Sequence, residues 1–119
     1  MGDLSPHFNR QEFSCRCGCQ TDTVDAELIM VLESLRERVG PISINSGNRC
    51  PSHNASEGGS TGSQHLVGKA ADIVAHSATS SVVAEILIDQ YPGKYGIGRY
   101  NGRTHIDVRS GPAARWNAT

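Results

Sequence analysis

Apolar residues at Val24, Leu28, Val31, Leu32, Leu35 and Val39 fall three or four positions apart, which predicts an amphipathic helix with one buried stripe. Thr21 or Asp22 can cap its start, and Gly40-Pro41 ends it. Ile42-Ser43-Ile44 then reads as a short strand. Between 45 and 65 the pattern dissolves into NSGNRCPSHNASEGGSTGSQH, a long polar loop of the kind that carries function in a small domain. ADIVA at 71–75 reads as a buried strand beginning beside Asp72. Val82, Val83, Ile86 and Leu87 mark a second amphipathic helix over 80–89, ended by Tyr91-Pro92-Gly93. YGIGRY and THIDV read as two strands joined through Asn101-Gly102, a common hairpin pair. In the second strand the period of two places His105 and Asp107 on one face and Ile106 and Val108 on the other. The polar pair is expected to face a cleft or solvent. The sum is an α+β fold with helices packed on a small antiparallel sheet.

A length of 119 residues supports one core, so 1–119 is expected to be a single domain. The net charge of -1 gives no broad attraction to nucleic acid. Nine of the eleven basic residues are Arg, whose rigid fork suits carboxylates, and this keeps a carboxylate-bearing substrate open. The first residues, MGDLSPHFNRQEF, contain no apolar run of signal-peptide length, and no stretch approaches a membrane span. The expectation is a soluble monomer with no membrane partner, cytoplasmic until lysis or export releases it.

Cys15, Cys17, Cys19 and Cys50 leave three states open: a second, structural metal, a disulfide, or free thiols. One-residue gaps are awkward for paired zinc ligands and lack the CxxC spacing of a thiol redox module.

The chemistry concentrates in His65 and Asp72 of SQHLVGKAAD and in His105 of THID. Two imidazoles and a carboxylate suit a divalent metal, zinc above all, and three protein ligands leave a fourth position for water. Asp72 opens an apolar strand, where a carboxylate is costly without a cationic or metal partner. An Asp72–His hydrogen-bonded pair without metal is the competing explanation.

NSGNRCPSHNASEGGSTGSQHLVGKAAD, followed by GIGRY, THIDVR and ARW, resembles the M15-type zinc peptidases, a group of D-alanyl-D-alanine carboxypeptidases, phage endolysins and hedgehog-like folds. The SxHxxGxAxD pattern appears as Ser63, His65, Gly68, Ala70 and Asp72, with His105 at the third ligand position. EFSCRCGC matches the compact branch, and the resemblance runs from about Phe8 through Trp116. It implies one catalytic zinc on His65, Asp72 and His105, and hydrolysis of amide bonds in peptidoglycan stem peptides. D-Ala-D-Ala carboxypeptidase activity is the leading expectation. Peptidoglycan endopeptidase activity and a non-catalytic zinc-binding assembly domain are the alternatives. By the same resemblance Arg49 of the SGxR segment meets the substrate carbonyl or carboxylate, and Ser63 and Arg109 join it as substrate-binding candidates.

Many members of that family carry an acidic general base three residues before the last His ligand, where this chain has Gly102, and Arg103 follows it. Asp107 is the nearest carboxylate, able to activate water or to orient a ligand histidine. His53 and Glu57 are further candidates for the base. Arg109 can pair with Asp107 or meet a substrate carboxylate. Trp116 reads as a core or cleft-rim aromatic, and Tyr95 and Tyr100 as sheet packing or groove lining.

Overall fold

A computed structural model describes residues 4–13, 24–47, 65 and 68–117 of the chain. Helix α1 (Ala26–Val39) forms where the apolar stripe predicts it but starts late. Its N-cap is Asp25, whose side chain accepts from the Glu27 N–H at 2.8 Å, satisfying a donor that the first turn leaves unpaired. The Asp25 N–H donates to the Gly68 carbonyl at 2.9 Å, which fixes the chain's entry into the helix. Val24 therefore lies before the helix, partly buried against the core, and the expected caps Thr21 and Asp22 fall outside the described residues. Gly40, at φ 80, ends the helix with its N–H on the Arg36 carbonyl.

Helix α2 (Ser80–Gln90) is capped by Thr79, whose hydroxyl accepts from the Val82 N–H at 3.3 Å. The strands are β1 (Ile42–Ser46), β2 (Ala70–Ala75), β3 (Gly96–Tyr100), β4 (Arg103–Asp107) and β5 (Ala114–Asn117). They form one sheet in the order β1-β2-β4-β3-β5. The first four pair antiparallel, and β3 and β4 make the expected hairpin across Asn101-Gly102.

Strand β5 does not announce itself in the sequence, and it pairs parallel with β3, so the sheet is mixed. Its four residues carry one large apolar side chain, too short a run for a period-two signal. Arg115 anchors it instead. The Arg115 guanidinium donates to the carbonyls of Tyr95, Tyr91 and Lys94 at 2.8–2.9 Å, tying the strand to the end of α2.

Ile44, Ile73, Ile97 and Ile106 project from one face of the sheet into a core with Leu28, Leu32, Leu35, Val83 and Leu87. Phe8 and Phe13 complete it, their rings edge-on at 6.1 Å. The strand period of two then assigns Asp72, His105 and Asp107 to the opposite face. Among the described residues no helix is long and apolar enough to cross a membrane.

Candidate metal centre

Strand register brings the site together. Asp72 on β2 lies directly opposite His105 on β4, His105 opposite Gly98 on β3, and Gly98 opposite Trp116 on β5. On the other side of Asp72 stands Ser46, just past an irregularity in β1. Directly opposed residues on one sheet face have side chains in contact, so this single row places Asp72, His105 and Trp116 side by side, while His65 joins them from outside the sheet, ahead of β2.

The His65 Nδ1–H donates to the Gly47 carbonyl at 2.7 Å, and because a carbonyl only accepts, the tautomer is fixed. Its Nε2 faces Asp72 Oδ2 at 3.6 Å. His105 turns Nδ1 toward Asp72 Oδ1 at 3.1 Å and Nε2 toward Asp107 Oδ2 at 2.7 Å. One ligand atom from each of His65, Asp72 and His105 falls within 4.8 Å of the others, and all three residues are buried. Each imidazole thus has one nitrogen held by a hydrogen bond and the other turned inward, the arrangement that orients histidines for a metal. The donor set of two nitrogens and a carboxylate oxygen suits zinc and leaves a coordination position free.

Burial alone pushes the Asp72 carboxyl up, but the hydrogen bond with His105 and the nearby His65 imidazole hold it well below the ordinary carboxylate range. Burial pulls the His105 imidazole down, and the Asp107 and Asp72 carboxylates outweigh it, so its pKa lies above the usual value. Asp107 is likewise pushed up by burial and held low by Arg109 and His105.

Asp107 does not face a cleft or solvent as its strand position led us to expect: it is 0% exposed. Its carboxylate sits at the edge of His105 remote from Asp72. Arg109 grips both of its oxygens, Nε on Oδ1 and Nη2 on Oδ2, each at 2.7 Å. The Gly96 N–H adds a bond to Oδ1 at 3.1 Å. The Arg109 fork is engaged there, beside the Trp116 ring.

Three features of the site escape a reading by motif. The Gly47 carbonyl sets the His65 tautomer. Gly98 leaves room for the indole of Trp116, where any Cβ would collide with it. That indole packs on His105 with ring centroids 5.1 Å apart, and its N–H donates to the Tyr100 hydroxyl at 2.9 Å. The alternating glycines of GIGRY, on the same sheet face as His105, are the sequence signal for this gap.

Gly102 occupies the hairpin turn at φ 86, a conformation that L side chains rarely adopt. An acidic residue is disfavoured there on backbone grounds. Arg49 and Ser63, the possible bases His53 and Glu57, and Cys15, Cys17, Cys19 and Cys50 lie outside the described residues.

Residues 6–107 match the family model described as Peptidase M15. The chain is also 33% identical over 98 residues to the zinc D-Ala-D-Ala carboxypeptidase of Streptomyces albus G. That alignment covers 73% of this chain and 35% of the relative, so the chain spans about a third of that protein's length. With the His65–Asp72–His105 trio inside the matched segment, the chain belongs to the M15 family of zinc peptidases.

Proposed function

We propose that this chain cleaves the terminal D-Ala from peptidoglycan stem peptides, with 1–119 acting as one peptidase domain. The observation that carries the reading is the buried trio with each histidine oriented from behind, by Gly47 and by Asp107. The similarity to a D-Ala-D-Ala carboxypeptidase supports the choice of bond. Packing of both helices and the sheet around one core supports the single domain.

When bound to the trio, zinc supplies a Lewis acid that acidifies water and polarises an amide carbonyl. The protein's part is orientation and charge. Gly47 holds His65 with Nε2 inward, and Asp107 does the same for His105 Nδ1. Arg109 keeps Asp107 ionised, so that it accepts from His105 rather than donating. Asp107 acts as a positioning residue, because it reaches the reacting atoms only through the imidazole. Trp116 covers one side of His105 and limits its access to bulk water. Arg49 is proposed as the donor to the tetrahedral oxyanion and Ser63 as a substrate contact, both on the family motif.

The glycine at 102, held in a turn that disfavours an acid, favours a second reading: a zinc-holding assembly domain without turnover. Digestion of purified peptidoglycan with and without a chelator, followed by mass analysis, separates the possibilities. Chelator-sensitive release of D-Ala supports the carboxypeptidase. Internal stem or bridge cleavage replaces it with an endopeptidase, and zinc binding without any product leaves the assembly domain.

A further inference from the structure

Arg103 is a cation at this site for which the reaction above has no use. It is the first residue of β4, two positions before His105 and hence on the same sheet face. Its guanidinium lies over the Tyr100 ring at 4.3 Å from the centroid, and its Nε approaches Asp72 Oδ2 at 3.9 Å. That separation is too long for a hydrogen bond, and among the described residues the guanidinium donates none. The side chain is 43% exposed, so its outer edge meets solvent beside the metal ligands.

The contrast with Arg109 is informative. Arg109 has its fork closed on Asp107, whereas Arg103 is stacked, aimed at the site and open along its donor edge. Stacking on an aromatic face leaves the in-plane N–H groups available for bidentate recognition. The platform is itself fixed, since the Tyr100 hydroxyl accepts from Trp116 and Trp116 packs on His105. A dication held by Asp72 would draw that carboxylate's charge to itself and weaken its hold on Arg103. An anionic group of the substrate is then the natural partner.

We propose that Arg103 is a specificity-determining residue that binds the free terminal carboxylate of the peptide substrate. It therefore selects chain ends over internal bonds. The inference rests on the peptidase reading above, and it concerns recognition rather than turnover.

The test uses the zinc-loaded protein and a D-Ala-D-Ala analogue with a methyleneamine in place of the scissile amide, ending in a carboxylate or in a carboxamide. Trp116, the single tryptophan, reports binding through its fluorescence. The wild-type protein is expected to prefer the carboxylate by about tenfold or more, the scale of a charge-assisted hydrogen bond. Arg103→Gln should bring that preference close to one by weakening the carboxylate form alone, with zinc stoichiometry unchanged, and Arg103→Lys should restore part of it. An unchanged preference in Arg103→Gln overturns the proposal, as does equal weakening of both analogues or no binding by wild type. Because the analogues are not hydrolysed, this result is read independently of the peptidoglycan digestion that decides the peptidase reading.

Discussion

At the scale of single residues, the bond between His105 Nε2 and Asp107 holds the most chemistry. Replacing Asp107 by Asn keeps the shape, removes the charge and leaves one oxygen to serve donors that now share two. Carboxylates behind metal-bound histidines typically contribute 10–100-fold to metal affinity. Asp107→Asn is therefore expected to bind zinc about 10–100-fold more weakly and to regain turnover when zinc is saturating. Competition against a chromophoric chelator, with kcat measured at saturating zinc, checks both parts. A variant fully loaded with zinc yet inactive would identify Asp107 as the proton acceptor instead. Asp107→Ala goes further, leaving the Arg109 guanidinium and the His105 N–H without their acceptor, and should cost about 3–5 kcal/mol of stability.

At the scale of elements, the site is a product of register. A slip of one residue between β2 and β4 would send Asp72 and His105 to opposite faces. Gly98 is the element-level device that lets β5 take part, because Trp116 crosses above it to reach His105. Gly98→Ala should displace the indole and cost about 1–3 kcal/mol as an overpacking change. Thermal unfolding together with a red shift of Trp116 emission would register it, and an unshifted spectrum would contradict the packing described. The same elements explain what was legible in advance. Both helices, β1, β2 and the hairpin carry clear periodicity or turn residues, and His65, Asp72 and His105 were readable as a set from their chemistry and spacing. Strand β5 was not readable, since a parallel partner held by Arg115 leaves no local pattern. The burial of Asp107 was misread for a related reason: a period of two gives the face but not what covers it. The partner of His65, a backbone carbonyl, has no signature in the sequence at all.

At the scale of the whole molecule, the site couples stability to pH and to metal. In the metal-free protein His105 has its pKa raised, so its contribution is complete below the ordinary imidazole value of 6.5 and is lost as pH rises through the folded value. Asp72 and Asp107 are depressed, so their contribution is present above the ordinary carboxyl value of 3.8 and is lost as pH falls through their folded values. The metal-free fold should accordingly gain most from this network between 3.8 and 6.5. There an imidazolium at His105 bridges two carboxylates. Zinc reverses the dependence, because it competes with the proton on His105 Nδ1 and its binding strengthens as that proton becomes easier to lose. The gain in Tm produced by zinc should therefore widen from about pH 5 to about pH 8. Scanning calorimetry with zinc and with chelator across that range measures it directly. A gain independent of pH would mean that the metal binds without displacing a proton from His105, and the trio would lose its place as the ligand set.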